Sequence, residues 1–422
     1  MKIAYLIAGT GGAFYCENCI RDHAFIAGLR ANGHEVTTIP MYLPVKESGL
    51  TSGTQPVFFG AVRLYLTSKI PLLRNVPDAL LKLLDHPSML NLAASMANST
   101  RAKGHEQMTI AMLKGEHGPF AHDFGKLSAW IRTTIKPDIL IVSNAFLLGI
   151  AASIKSKSRI PIICMLQDEH FWVDSATPSY KDLLWNAVSD KFDYVDMALT
   201  HSYWFKEKFS THVHKSNGKI TVIPFGVDPS IYTVVSKGSD TLNLGSLGRI
   251  CSFLGVEVIA RAYALLVKDF SGTAHSLNFC GGFTKDDQAA INRAKKSVLD
   301  NKGTFTIHPE FGITDRVSYL QTLSVFSLPA QEPMTIGTSV IEAMACGIPV
   351  ILPDSGGFPE ILAANGGGVI YAPNTPDTLA EQILRLYRDT ASRKYLAAAA
   401  RNSVIKEFNN LNMAKKAIAV VR

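Results

Sequence analysis

The stretch 331-QEPMTIGTSVIEAMACGIPVILPDSGGFPEIL-362 contains one complete unit of alternating secondary structure. Its segment TSVIEAMACG has apolar side chains at helical spacing and stops at a glycine, which predicts a helix. The apolar run at residues 348–354 is typical of a strand buried on both faces of a sheet. A loop ending at Gly337 precedes the helix, and a second turn at Gly356 and Gly357 follows the strand. This order predicts a parallel α/β sheet.

The same alternation runs through the rest of the chain. Apolar runs bounded by turn residues occur as KIAYLIA, HEVTTIPM, DILIVS, IPIICML and YVDMALT, and later as TLNLGSLGR, HSLNFCG, TFTIHPE, SVFSLPA, IPVILPD and GGVIYAP. Because 422 residues exceed what one core usually holds, we predict two doubly wound α/β domains in tandem. In such sheets ligands bind at the carboxyl ends of the strands, so a cleft between the domains is the expected place for a site.

The predicted domains are residues 1–230 and 231–400, joined by a hinge near residues 227–240. A final helix at about 400–422 is a candidate to pack back on the first domain. Residues from about 44 to 126 fit the alternation poorly and read as short helices broken by prolines. This insertion is interpreted either as a cover over the sheet edge or as an acceptor-binding or membrane-touching surface, with peripheral membrane contact assigned to residues 58–84.

The composition is that of a folded protein with a mild positive charge. The 42 Lys and Arg exceed the 35 Asp and Glu by seven, which suits nucleotide phosphates or a lipid surface. No dense basic run with interleaved aromatic residues indicates nucleic acid. We interpret the apolar N-terminus as a buried first strand rather than a signal peptide, and we predict no spanning helix. The expected location is the cytoplasm, and the inner face of the membrane is included in that prediction.

Six cysteines are scattered along the chain, which indicates reduced intracellular thiols. Cys16 and Cys19 form a CxxC motif without a second pair of ligands at metal spacing. We interpret both as buried small residues in preference to a metal or redox site.

The loop before the helix of the opening stretch predicts an anion site. Free amides at Gly337, Thr338 and Ser339, with the helix dipole, would hold a phosphate. One turn later, the Glu342 carboxylate could accept two hydrogen bonds from a ribose diol. Arg249 follows another predicted strand and could neutralise a diphosphate without a metal ion.

Glycine turns elsewhere extend this pattern. Gly356 and Gly357 are expected where the backbone approaches a ligand closely. Near the N-terminus, AGTGGAFYC offers a facing turn with Gly11 and Gly12. It is not a dinucleotide fingerprint, because the third glycine position holds Phe14.

Together, these segments resemble a known family. GRICSFLGVEVIARAYALL, the opening stretch and GGGVIYAPNTPDTLAEQILRLYRD closely resemble the nucleotide-binding half of the retaining GT-B glycosyltransferases of family 4. The resemblance covers most of residues 137–390 and is strongest over 248–375. It implies two Rossmann-like domains facing each other across a cleft. It also implies metal-independent transfer of a hexosyl-type sugar with retention of its anomeric configuration. The donor would be a UDP-, GDP- or ADP-sugar, and the acceptor a glycan, a lipid or a small molecule, as in polysaccharide biosynthesis.

The resemblance also assigns roles to residues. Arg249 would hold the diphosphate and Glu342 the ribose, and the Gly337 turn would hold the phosphate and sugar. The catalytic candidates are Arg249, Glu332 and His170. No metal ligand or cofactor is expected, and the donor-binding candidates are Gly11, Gly12, Arg249, Ile313, Gly337, Thr338, Ser339 and Glu342.

Three departures from the family pattern stand out. Leu254 occupies the place of a lysine that usually serves as the second cation on the diphosphate. The paired glutamates stand ten positions apart instead of eight, so Met334 occupies the expected first position. Either the loop carries two extra residues and Glu332 still reaches the sugar, which we favour, or that contact is lost. After the strand IPIICML, Gln167 replaces a histidine and His170 follows three residues later.

Two other functions compete with a transferase. A nucleotide- or glycan-binding protein without turnover is favoured by Leu254 and Met334. An NAD-dependent oxidoreductase shares the α/β layout but is disfavoured by Phe14. In the first domain a lone histidine is more often structural than catalytic, and Asp168 or Glu169 could serve as a base for an acceptor hydroxyl.

Overall fold

The structure is a computed structural model that describes residues 1–8, 15–41, 103–235, 241–270, 274–363 and 366–421. Within these residues the chain clusters into two compact units. Unit 1 comprises Met1–Gly12, Phe25–Ile223 and Ala414–Arg422, and unit 2 comprises Ala13–Ala24 and Pro224–Met413. Gly11, Gly12, residues 58–84 and most of the predicted insertion at about 44–126 lie outside the described residues.

Unit 1 is built on a six-stranded, all-parallel sheet in the order β2-β1-β3-β4-β5-β6. Its strands are β1 Lys2–Ile7, β2 Glu35–Pro40, β3 Ile139–Val142, β4 Ile162–Met165, β5 Met197–Thr200 and β6 Ile220–Val222. The α-helices between them are α1 Glu17–Ala31, α2 Glu106–Lys114, α3 Ala121–Trp130, α4 Ala151–Lys155, α5 Glu169–Asp174, α6 Pro178–Lys191 and α7 Tyr203–His212. Strands β3 and β4 are fully buried, as expected for a sheet covered on both faces.

Unit 2 repeats the architecture with the strand order β12-β11-β10-β7-β8-β9, again all parallel. Its strands are β7 Leu242–Leu247, β8 His275–Cys280, β9 Phe305–His308, β10 Val325–Ser327, β11 Val350–Pro353 and β12 Gly368–Tyr371. The helices are α8 Val256–Leu266, α9 Gln288–Asp300, α10 Ile313–Thr322, α11 Thr338–Ala345, α12 Phe358–Ala363, α13 Pro376–Arg388 and α14 Thr390–Lys406. The last helix, α15 Asn410–Ala419, begins in unit 2 and ends in unit 1. The two units confirm the predicted doubly wound α/β class.

The strand order of unit 2 fixes where a ligand can bind. After β9 the chain returns to the centre of the sheet and adds β10 beside β7. The connections therefore diverge between β7 and β10, and the crevice beyond their carboxyl ends is the topological switch point. Arg249 follows β7, and the loop leading to α11 follows β10. These two predicted elements thus come together at one edge of the sheet.

The division into units differs from the predicted domains at residues 13–24. We expected these residues in the first domain, but they cluster with unit 2. The cause is visible in their contacts: the Tyr15 amide donates to the Gly281 carbonyl at 2.6 Å, and the Arg21 side chain reaches Thr338. At the other end of the chain, the residues from Ala414 onward cluster with unit 1.

Candidate functional site

Helix α11 begins at the switch point of unit 2 as the sequence predicts. Gly337 is its N-cap, and a Cβ at this position would lie 2.7 Å from the Val340 side chain, so the turn requires glycine. The first amides of an α-helix have no carbonyl partner within the helix, which makes this end suited to an anion. Thr338 and Ser339 are fully buried here, and no hydrogen-bond partner for the Ser339 hydroxyl lies within the described residues.

The second glycine turn packs against the loop that precedes α11. A Cβ on Gly356 would lie 2.3 Å from the carbonyl oxygen of Met334, and the Gly357 amide donates to that same oxygen at 2.8 Å. Gly356 therefore allows close packing against the loop before α11, and the approach of this turn to a ligand stays a prediction. Met334 itself is buried. The turn holds the loop in place and supports the start of α11 indirectly.

Arg249 lies directly after β7 and is held by a carboxylate. Its Nε and Nη2 donate to the two oxygens of Asp287 at 2.8 and 3.0 Å, and Nη2 also donates to Thr284 Oγ1 at 2.9 Å. This bidentate pair fixes the guanidinium and neutralises its charge locally. A small pocket beside it is lined by Gly248, Arg249 and Leu254. Leu254 therefore lies in the same pocket as the arginine, at the place where the family pattern has lysine.

Glu342 is the centre of a buried polar network. The side chain is completely buried, and its Oε2 accepts a hydrogen bond from the Tyr15 hydroxyl at 2.6 Å. Its Oε1 accepts from the Tyr232 hydroxyl at 2.5 Å and from Arg316 Nε at 3.1 Å. Burial, and then the Glu342 charge, raise the pKa of both tyrosines. Both carboxylate oxygens are thus engaged in this structure, so the predicted bond to ribose would have to replace existing bonds.

Arg21 brings a second guanidinium to the start of α11. It is buried, and its Nε donates to Thr338 Oγ1 at 3.2 Å. Its Nη2 donates to Glu17 at 3.0 Å and points to the Ile336 carbonyl at 3.4 Å. Helix α1 therefore supplies a cation next to the predicted phosphate site.

Several members of this site have no local signal in the sequence. Tyr15, Arg21, Tyr232, Arg316 and Asp287 were not predicted. Tyr15 stands 327 positions before Glu342, and Tyr232 stands 110 before it, so no local spacing links them.

The remaining predicted residues of unit 2 lie on or near its surface. Glu332 is exposed in the loop before α11. Ile313 is 41% exposed at the first position of α10. Neither has a contact that defines a role, so their assignments stay predictions. Among the residues that the structure describes, no group of three or more His, Cys, Asp or Glu is placed to hold a metal ion.

In unit 1, His170 lies in α5 after β4 and is buried among aromatic rings. Its ring centroid is 4.0 Å from that of Phe171, 5.4 Å from Trp204 and 5.3 Å from Phe205. This is the packing of a core side chain, and its catalytic role stays a prediction. Gln167 is buried beside it, and Asp168 adopts a left-handed conformation with φ 62°.

Glu169 ties together two strand ends of unit 1. Its Oε1 accepts from the Ala145 amide and its Oε2 from the Gln167 amide, both at 2.9 Å. These amides follow β3 and β4, which are neighbours in the sheet. Burial raises the pKa of Glu169 to about 7, although the two amides oppose the shift. Burial therefore favours the protonated form of this carboxyl group.

Comparison with known proteins finds a family match in the second half of the chain. Residues 235–403 match the family model described as glycosyl transferases group 1. This segment is similar to the group 1 glycosyl transferases. It contains Arg249, Glu342 and the whole of α11, so the elements at the switch point of unit 2 lie within the matched segment.

Curated relatives carry related names. Alpha-maltose-1-phosphate synthase of Mycolicibacterium smegmatis is 26% identical over 225 residues, which cover 48% of this chain and 57% of the relative. D-inositol 3-phosphate glycosyltransferase of Stackebrandtia nassauensis is 27% identical over 204 residues, which cover 43% of this chain and 44% of the relative. The chain thus spans about half the length of the curated relatives it matches.

Solved structures match over the full length. Sucrose-phosphate synthase of Thermosynechococcus elongatus superposes with a TM-score of 0.70 at 15% identity, covering 100% of this chain and 98% of the other. The Anabaena protein HepE in complex with UDP superposes with a TM-score of 0.65 at 16% identity, covering 100% and 99%. At these identities the likeness shows the fold alone, and it confirms the predicted GT-B class. Among the described residues, no helix is both long and apolar enough to cross a membrane.

Proposed function

We propose that this protein transfers a hexosyl-type sugar from a nucleotide-diphosphate sugar to a glycan, lipid-linked or small-molecule acceptor, with retention of configuration and without a metal ion. The observation that carries the proposal is the position of α11. Its N-terminus lies at the switch point of the segment that is similar to the group 1 glycosyl transferases, with two guanidinium groups, those of Arg249 and Arg21, belonging to the same unit. A diphosphate needs such a combination of amides and cations.

The donor would bind by exchange of partners at Glu342. A ribose diol presents two hydroxyl donors to a carboxylate, and the hydroxyls of Tyr15 and Tyr232 present the same two donors in this structure. We infer that the ribose takes the place of at least one tyrosine hydroxyl. Arg249 would meet the diphosphate with its guanidinium already oriented by Asp287.

A UDP-sugar is the first donor to test. HepE was solved with UDP-glucose, and TarM of S. aureus with UDP and alpha-GlcNAc-glycerol. The full chain should be titrated by calorimetry with UDP-, GDP- and ADP-glucose, in EDTA and again in Mg²⁺. We expect one base to bind selectively with equal affinity in both buffers. Binding that needs Mg²⁺ would contradict the metal-independent part, and a β-configured product by NMR from an α-configured donor would contradict retention.

A binding protein without turnover is the second candidate. The observation that favours it is the neutralisation of Arg249 by Asp287 together with Leu254 in the same pocket. Donor binding without hydrolysis or transfer, in the presence of a panel of glycan and lipid-linked acceptors, would support this alternative. We place the protein in the cytoplasm on the ground that its six cysteines are scattered along the chain, a pattern typical of proteins from reducing compartments.

A further inference from the structure

The two cysteines of the CENC motif lie at the start of α1. Cys16 directly precedes the first helical residue, Glu17, and Cys19 lies in the first turn. The Cys19 amide donates a hydrogen bond to Cys16 Sγ at 3.4 Å. Both residues are partly exposed, so the expectation that they are buried is wrong. The other four cysteines are buried.

Their placement favours a reactive first thiol. Helix α1 connects the parallel strands β1 and β2, and a CxxC at the N-terminus of such a helix is the arrangement used by dithiol redox proteins. The hydrogen bonds from the Cys19 thiol and amide lower the pKa of Cys16, against the effect of burial. The amide bond and the helix dipole also stabilise a thiolate at this position.

The spacing of the two residues along the chain is compatible with a disulfide bond. Residues three apart at a helix have Cβ atoms about 5–6 Å apart, and a disulfide needs about 3.5–4.5 Å. A change of about 1 Å in the first turn would bring them together. The Cys19 amide already donates to Cys16 Sγ, which holds the first sulfur against the first turn. The first turn is at the helix end, where such changes are least costly.

We propose that Cys16 and Cys19 form a dithiol that closes reversibly to a disulfide by exchange with a small disulfide compound. The Cys16 thiolate attacks one sulfur of that compound, forms a mixed disulfide and releases one thiolate. Cys19 then loses its proton, attacks the Cys16 sulfur and releases the second thiolate. Two thiols of the chain are oxidised, one disulfide is reduced to two thiols, and the two protons pass to the released thiolates.

The site is independent of sugar transfer but adjoins the proposed donor site. Tyr15, which precedes Cys16, bonds to Glu342, and Glu17, which follows it, pairs with Arg21. The first turn of α1 lies between these two contacts, so closing the disulfide would move it relative to both of them. The chemistry at the sulfurs can nevertheless be measured without donor, acceptor or turnover.

The test uses the full reduced chain incubated with oxidised glutathione, followed by peptide mapping. We expect a Cys16–Cys19 disulfide, detected as the loss of two hydrogen atoms from one peptide and reversed by dithiothreitol. Near neutral pH, iodoacetamide should alkylate Cys16 at least about tenfold faster than Cys19. Cys19→Ser should trap glutathione on Cys16, and Cys251→Ser serves as a control that leaves the disulfide intact.

Two results would overturn the proposal. One is a folded wild-type chain that stays fully reduced at any ratio of oxidised to reduced glutathione. The other is a stable mixed disulfide on wild-type Cys16 that never closes onto Cys19. Both are read from the wild-type protein, so a Cys16→Ser or Cys19→Ser variant that fails to fold leaves the test intact.

Discussion

Replacing Glu342 by Gln tests the buried network at the centre of unit 2. The substitution keeps the shape of the side chain but removes the counter-ion of Arg316, whose side chain is only 7% exposed. It also places an amide group opposite the two tyrosine hydroxyls, which in the wild-type protein donate to the carboxylate. Removing one partner of a buried ion pair costs about 3–5 kcal/mol. Arg316 keeps a bond to the Phe311 carbonyl, so we expect a loss near the lower end, about 3 kcal/mol.

The assay must separate the two units. All four tryptophans, at positions 130, 172, 185 and 204, lie in unit 1, so tryptophan fluorescence follows that unit alone. Far-UV circular dichroism follows both. In a unit of roughly 200 residues, a loss of about 3 kcal/mol corresponds to a shift of about 6–12 °C in Tm. We expect that shift in the dichroism and little change in fluorescence.

Two further variants make the result specific. Arg316→Met combined with Glu342→Met removes both charges and should recover much of the lost stability, because no charge is then left unpaired. Glu257→Gln breaks the exposed pair with Arg293 and should cost less than about 1 kcal/mol. Wild-type stability of Glu342→Gln, or a double variant as unstable as the sum of its single changes, would refute the network as a source of stability.

Four other outcomes are expected. Arg249→Ala should lower transfer or donor hydrolysis by at least about 10²-fold, and normal turnover would remove Arg249 from the mechanism. Leu254→Lys should tighten nucleoside-diphosphate binding by about tenfold in calorimetry, and unchanged affinity would mean that another cation serves this place. Burial raises the pKa of Glu169 above its unfolded value, so the native state holds the proton more tightly. As the pH rises from about 4.5 to 7, the unfolding free energy of wild type, followed by tryptophan fluorescence, should therefore fall relative to that of Glu169→Gln. Unfolding free energies that change in parallel with pH in the two proteins would contradict the raised pKa. Burial alone would raise the pKa of Glu106, but hydrogen bonds from Thr177 and Gly104 lower it to about 2. In the same assay wild type should lose its advantage over Glu106→Gln as the pH falls from about 4.5 towards 2, and a constant difference would refute this reasoning.

Local sequence patterns were sufficient for most of the fold. Eleven of the twelve strands in the described residues lie within the apolar runs of the sequence. The exception is β6, a strand of only three residues shortly before a proline, which the sequence pattern groups with the segment leading into the hinge. Helix α11 begins at Thr338 and ends at Ala345, before Gly347 with φ 68°, as the glycine pattern predicts.

The candidate site was predicted less completely, for a physical reason. Periodicity reports which face of an element is buried, but not which polar group from a distant segment meets it. Glu342 was identified as a carboxylate one turn into α11, and its three donors come from the N-terminal segment, the linker and α10. Arg249 was likewise identified without Asp287, which lies 38 positions later. Such partners follow from tertiary packing and need a structure.

The charges at the switch point explain how a transferase could function with leucine at position 254. Arg249 is offset by Asp287, and Arg21 is offset by Glu17, so each cation approaches the predicted phosphate site already paired. A diphosphate could recruit both guanidinium groups only by competing with these carboxylates, and its two negative charges are suited to do so. Arg21 would then supply the charge that lysine supplies elsewhere in the family pattern. It follows that Leu254 alone does not mark the chain as inactive, and that the number of cations available to the diphosphate depends on α1 as much as on β7.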